Sequence, residues 1–390
     1  MSFLGFAPRS MFFSTGIVLL FQLSKTPNTF CPYWVNSGCS KMVLFMADLS
    51  IQYLGMKLKN PVIIGSSGMT GTVAGVKHAA ESGASAVVLK SIFEEQILHE
   101  MDSYLHDSGS DAGNTFHKGY QSVLHDREYD YEEAYLYLQD HAKNLTLSKY
   151  LAFVEEAKKS VDIPVIASIN CTTAYDWHYF ARRIEEAGAD ALELNVFVLP
   201  SNTMKNSAEN EKVYFDIVEA VLRQVNIPVA LKIGFYFSGL ATSAIELSKS
   251  GIAGLVLFNR PFHPDIDINK LEVNSRYLLS DPSEYSHVLR WIALLSGRLE
   301  CPLVATTGVH TYDSAVKQLL AGATAVQVVS AMYRHGYPVV GEIVNGIGRW
   351  MDEKGFATIA DFRGKMNQQS LKNPAEFERV QFMRLYSEIV

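Results

Sequence analysis

Residues 301–336 read CPLVATTGVHTYDSAVKQLLAGATAVQVVSAMYRHG, and the reading of this stretch decides the fold. Leu303 to Thr306 predicts a strand, Thr307-Gly308 a tight turn, Thr311 to Ala321 a helix, and Ala325 to Val329 a second strand. Neither strand alternates apolar with polar residues, which is the pattern of a parallel strand covered on both faces. Each empties into small residues, first Thr307-Gly308 and then Ser330-Ala331. Two such turns side by side offer backbone N–H groups and hydroxyls to a phosphate. In a (β/α)8 barrel the loops after the last two strands commonly make that site.

The same unit recurs upstream. Asp48 to Leu58 predicts a hairpin turning at Gly55, followed by strands at Val62–Gly65, Ala86–Leu89, Val165–Ile169, Ala191–Leu194, Val229–Leu231 and Gly254–Phe258. Helical patterns fill the intervals, several of them closed by a glycine such as Gly83, Gly188 or Gly251. Regular alternation of this kind predicts an α/β fold, a (β/α)8 TIM barrel over residues 46–365, with a doubly wound sheet as the alternative. Insertions are expected after the second strand (residues 91–147) and after the sixth (260–280), both over the barrel mouth where substrate loops belong. Residues 1–45 form an atypical N-terminal extension. Its apolar run MFFSTGIVLLFQL suits a signal-peptide core and is short for a membrane span, whereas a coherent pattern begins at Met46. Residues 366–390 predict a C-terminal helical extension.

Composition narrows the function. Across 390 residues the formal charge is −7 with no Lys/Arg run, which argues against a nucleic-acid surface and for an acidic cytoplasmic enzyme without a membrane partner. Cys31, Cys39, Cys171 and Cys301 show no metal-ligand spacing, so neither a metal nor an iron–sulfur relay is expected.

Polar residues gather at the predicted strand ends: Ser66, Ser67 and Gly68, then Lys90, Asn170, Asn195, Lys232 and Asn259, and finally Thr307-Gly308 and Ser330-Ala331. Packing alone does not favour a lysine closing an apolar strand, because a buried ammonium without a partner is costly. Lysines beside a phosphate cradle suit a phosphorylated cofactor that gains negative charge in reaction, as a flavin mononucleotide does. On spacing alone, pyridoxal phosphate and a sugar phosphate remain open.

The segments NPVIIGSSGMT, AVVLKS, IPVIASINCTTAYDW, EEAGADALELN, IPVALKIG, ATTGVHTYDSAVKQLLAGATAVQVVSA and KGFATIADFRGK together resemble the FMN barrel of class 1 dihydroorotate dehydrogenases. The IASINC and ADALELN segments are also similar to the FMN domain of dihydropyrimidine dehydrogenases. The resemblance implies an FMN cofactor, with Ser66 to Gly68 passing close to the flavin, Lys90 at its edge on the substrate side and Lys232 near N1 and O2. It further implies that Asn195 and Asn259 help hold the substrate, with Asn170 lining the cofactor side, and that Thr307, Gly308, Ser330 and Ala331 bind the phosphate. A small-molecule substrate, a soluble electron donor or acceptor and a homodimer complete that expectation.

The chain departs from the family on the substrate side. The family reads NLSCPN or a serine variant after the fourth-strand asparagine, and its Cys or Ser is the base. This chain reads Asn195-Val196-Phe197-Val198-Leu199-Pro200-Ser201-Asn202, which puts Val198 at the base position; Val198 cannot accept a proton. A shifted alignment makes Ser201 the catalytic fallback, alongside Lys90 and Asn195. His106, His117 and Tyr120 of the first insertion are further proton donors to consider. The family's NSMGLPN segment is missing, the glycine-rich phosphate-side loop expected near Gly297 is reduced, and RYLLSDPSEYSH occupies the second insertion. An FMN-dependent oxidoreductase acting on a dihydropyrimidine-like or related small conjugated substrate is the leading expectation. An FMN-binding paralogue without dihydroorotate activity and a phosphosugar-processing barrel are the alternatives.

Overall fold

The computed structural model describes residues 47–93, 147–171, 180–260, 263–276 and 279–378, together with Met383. The N-terminal extension, the first insertion from residue 94 onward and most residues beyond 378 lie outside the described residues.

An antiparallel hairpin, β1 (Ile51–Tyr53) and β2 (Met56–Leu58), precedes the barrel. The barrel strands are β3 (Val62–Ile64), β4 (Ala86–Val88), β6 (Val165–Cys171), β7 (Ala191–Val196), β8 (Val229–Ile233), β9 (Gly254–Leu257), β12 (Leu303–Thr306) and β13 (Ala325–Val328). All pair in parallel, and the sheet closes because β13 pairs with β3 while β4 pairs with β6. Closure excludes the doubly wound sheet. The strands are apolar runs buried along their length, as in β8, β9, β12 and β13, because helices cover one face and the barrel interior the other.

The helices α1 (Val73–Glu81), α2 (Leu147–Ser160), α3 (Phe180–Glu186), α4 (Ser207–Leu222), α5 (Leu240–Ser248), α6 (Tyr285–Leu295), α7 (Tyr312–Ala321) and α9 (Pro338–Lys354) follow the strands in turn. Several of their starts are fixed by short polar side chains: Thr72 accepts from the Gly75 N–H, Asn206 from Glu209 and Thr311 from Ser314. Lys158 of α2 meets Asp190 at 2.7 Å, and the same carboxylate accepts the Val165 N–H, tying the helix to the base of β6.

Several details differ from the sequence reading. Asn195 and Lys232 lie inside β7 and β8 rather than just past them. Ser330-Ala331 opens the short helix α8 (Ser330–His335) instead of a bare turn. A two-residue strand, β5 (Ile92–Phe93), follows Lys90 and pairs with the end of β6. The second insertion carries an antiparallel hairpin, β10 (His263–Asp267) and β11 (Glu272–Arg276). Pro374–Phe377 is a single 3-10 turn within the expected C-terminal extension. Cys301 is buried at the foot of β12, and burial pushes its thiol up to about 12, so it is an inert core group.

Candidate active site

The register of the parallel strands builds the site. Asn170 of β6 stands opposite Asn195 of β7, which stands opposite Lys232 of β8. Three polar residues therefore form one row across adjacent strands near the C-terminal end of the barrel. Asn195 and Lys232 line a pocket whose far side is made by Asn259, Thr307, Gly308 and Ser330, with Ser66 closing it from β3.

The far side is held by its backbone. Thr307 and Gly308 both take positive φ, 77° and 75°. A Cβ on Gly308 would stand 2.2 Å from the Tyr285 nitrogen, so only glycine lets the turn pass this close to the start of α6. The Gly308 N–H donates to Ser280 Oγ at 3.4 Å, and the Ser280 N–H donates to Ser330 Oγ at 2.9 Å. Ser280 also meets His310 Nε2 at 3.0 Å, while Arg334 donates to its carbonyl at 3.2 Å. Burial, then the neighbouring Arg334, depresses the His310 imidazole below its usual 6.5. Ser280, within the RYLLSDPSEYSH segment, joins the turns after β12 and β13.

Beneath the row, the barrel interior is polar at one level. Lys232 Nζ donates to Gln327 Oε1 at 3.2 Å, Gln327 Nε2 donates to Glu193 Oε2, and Glu193 Oε1 lies 3.9 Å from the ammonium. All three side chains are buried. Sequence reasoning passed over Glu193 and Gln327, although each is a lone polar residue in an apolar strand, ALELN and AVQVV, which is itself a signal of a buried network. Below them the Tyr53 ring of the hairpin fills the space left by Gly254, where a Cβ would stand 2.8 Å from the ring.

Most of the other expected site residues lie apart from the pocket. Lys90 is exposed, with its aliphatic stem against Gly71, and it does not line the pocket. Asn170 is half-buried beside Asn195 without reaching the lining. Ser66 reaches it and is bound to Ser91 Oγ at 3.0 Å. Ser67 stands at the N-cap of the turn Gly68–Thr70 next to it, its N–H donated to Thr70 Oγ1 at 3.1 Å, and Ala331 is buried within α8. Ser201 is exposed and outside the lining. Val198 packs against the core, with its N–H donated to Tyr214 at 3.2 Å. His106, His117 and Tyr120 lie outside the described residues.

Aromatic rings stand just past the ends of β7, β8 and β9. Phe197 meets Tyr236 edge-on at 5.9 Å, and Phe235 meets Phe258 edge-on at 6.2 Å. Phe258 lines the pocket, and Phe235 beside it is 43% exposed. The arrangement sets a fixed cation on one side of the pocket, a hydroxyl-rich turn on the other, and an aromatic ring, Phe258, in the lining between them. It offers no acid–base pair among the described residues that line it.

Among the described residues no group of His, Cys, Asp or Glu side chains is placed to hold a metal ion, and no helix is long and apolar enough to cross a membrane. The family model for dihydroorotate dehydrogenase matches residues 136–351. The catalytic subunit of the dihydroorotate dehydrogenase B (NAD(+)) of Pyrococcus abyssi is 29% identical over 322 residues, covering 81% of this chain and 98% of that protein. The corresponding subunit of Thermoplasma acidophilum is 26% identical over 333 residues, covering 82% and 99%. The NAD-dependent dihydropyrimidine dehydrogenase subunit PreA of Escherichia coli K12 is 25% identical over 348 residues, covering 84% and 79%. The family match takes in every barrel strand from β6 to β13, so the likeness falls on the elements that carry Asn195, Lys232, Gly308 and Ser330. The chain belongs to the dihydroorotate dehydrogenase family of flavin-dependent oxidoreductases that act on CH–CH bonds.

Proposed function

We propose that this chain binds FMN in the pocket between β7, β8, β12 and β13. We propose further that it passes a hydride between the flavin and a dihydropyrimidine-like or related small conjugated substrate. The observation that carries the reading is the placement of one buried ammonium, Lys232, at one side of a pocket whose other side is the Thr307-Gly308 turn with Ser330. The donor set fits the cofactor: Asn195 Oδ1 is buried without a hydrogen-bond partner in a pocket that it lines, which suits a ligand carrying N–H groups. When bound, FMN supplies the N5 that accepts or gives the hydride.

The chain's own residues then have separable tasks. Lys232 holds positive charge where negative charge develops, and Asn195 and Asn259 orient polar edges with their amides. The Thr307-Gly308 turn and Ser330 hold the phosphate, with Ser66 to Gly68 packing beside the ring system. Phe258 and Phe235 give the substrate an apolar wall and exclude water. Lys90, exposed at the end of β4, is assigned to the substrate side. Val198 at the base position supports a substrate preference other than dihydroorotate.

The relatives from Pyrococcus abyssi and Escherichia coli are subunits of NAD-coupled enzymes, which supports electron exchange with a soluble partner rather than through a built-in relay. A cytoplasmic homodimer is part of this reading. It is supported by Ile266, Ile268, Leu271 and Val273, all exposed on the β10–β11 hairpin.

The test is the absorption spectrum of the purified protein, heat release of the chromophore, and anaerobic titration with dihydroorotate and dihydrouracil in parallel. A yellow protein that releases FMN and bleaches with a dihydropyrimidine is expected. A yellow protein that neither substrate bleaches favours the non-catalytic paralogue. A colourless protein that takes up no FMN overturns the reading and favours a phosphosugar substrate.

A further inference from the structure

Among the described residues, Glu193 and Lys232 are the only buried carboxylate and ammonium. Burying such a pair rarely adds stability, since well-packed apolar side chains of similar volume do as well or better. Their presence in the barrel interior therefore calls for a reason other than folding. The contacts supply one.

Glu193 and Lys232 do not touch directly: the 3.9 Å gap is too long for a hydrogen bond. Gln327 bridges them. Its amide can be oriented in only one way, because the carbonyl must face the ammonium donor and the NH2 must face the carboxylate acceptor. The ammonium is thereby held away from its counter-charge and at the pocket lining, which the Gln327 amide shares while Glu193 lies behind it. The buried Tyr53 phenol nearby is pushed well above its usual range, by burial first and by Glu193 second, so it adds no charge to the balance.

We infer that Glu193 and Gln327 are positioning residues for Lys232, which together set how much of its positive charge reaches the pocket and so how strongly the protein prefers reduced over oxidised flavin. The inference rests on the FMN reading. Glu193 attenuates the ammonium, and Gln327 prevents the pair from collapsing into a direct contact that would withdraw it. Loss of either partner therefore acts in opposite directions, which a merely structural role cannot produce.

The experiment measures FMN affinity of the full chain under oxidising conditions and after dithionite reduction, and takes the ratio of the two. Glu193→Gln is expected to shift the ratio toward the reduced form by about tenfold, the order of magnitude of one charge acting at short range. Gln327→Leu is expected to shift it toward the oxidised form by a similar factor. If Glu193→Gln does not fold, Glu193→Asp draws the carboxylate back while keeping its charge and should give a smaller shift of the same sign. Ratios unchanged from the parent, or both variants moving the same way while FMN is still bound, overturn the inference alone. A parent protein that binds no FMN overturns the cofactor reading and the inference with it.

Discussion

The two halves of the barrel mouth are built by different rules. On the side of β12 and β13 the backbone makes the site: the Thr307-Gly308 turn is locked by positive φ and by its approach to Tyr285, and Ser280 stitches it to Ser330. On the side of β7 and β8 side chains make the site, and there Val198, the position the family resemblance assigns to a base, follows Phe197, whose ring meets Tyr236. A backbone site tolerates little change, because the ligand reads atoms common to all residues and the constraint falls on shape. A side-chain site can be rewritten one residue at a time. On the proposed reading, the half that would hold the cofactor and the half that would meet the substrate are therefore constrained differently.

Lys232 is the joint between the halves, and Lys232→Met should have the largest effect. It leaves Glu193 buried and uncompensated, at a cost of about 3–5 kcal/mol. Chemical denaturation would show this, and the double variant with Glu193→Gln should recover much of the loss. Equal stability of the single variant and the parent would mean that Lys232 does not compensate Glu193 in the fold.

Gly308→Ala comes next. The new Cβ would collide with the start of α6, and the displaced turn should lower FMN affinity by about tenfold, or roughly 1.4 kcal/mol. Unchanged affinity would remove this turn from the cofactor half.

A smaller effect is expected from pH. His310 is held below its ordinary 6.5 in the fold, so the unfolded chain takes up the proton first as the pH falls. The stability His310 contributes is thus present above about pH 6.5 and is lost as the pH drops through the depressed folded value. Melting temperatures measured from pH 7.5 downward should fall less steeply for His310→Asn than for the parent.

The smallest effect should come from the substrate half. Val198→Cys restores a proton acceptor at the counted position, yet the neighbouring wall remains aromatic. Dihydroorotate should therefore bleach the variant within about threefold of the parent rate. A gain near the hundredfold that a placed base can contribute would show that only one residue had been rewritten.

How much of this was legible before the structure depended on whether burial leaves a mark in the residue pattern. Strands such as VALKI and LVAT announce themselves because covering both faces demands continuous apolar runs. The β10–β11 hairpin left no mark: Ile266, Ile268, Leu271 and Val273 stand exposed on it, and side chains that meet no core obey no period. Lys90 and Lys232 look alike in sequence, each closing an apolar run, yet one is exposed and the other buried. Strand length decides this. β4 ends at Val88, two residues short of its lysine, while β8 runs past Lys232 to Ile233. Glu193 and Gln327 were readable as polar interruptions, but their partnership across the barrel depends on closure, which no local pattern encodes.

If the pocket beside Lys232 and the Thr307-Gly308 turn is built for a phosphorylated flavin, the protein must distinguish FMN from riboflavin, which lacks only the phosphate. Equilibrium titration of the flavin-free protein with each, followed by fluorescence quenching, measures that difference. FMN should bind at least about a hundredfold tighter than riboflavin, the order expected for two or more charge-assisted hydrogen bonds to the phosphate. Equal affinity for the two, or none for either, would contradict a phosphate-reading flavin pocket.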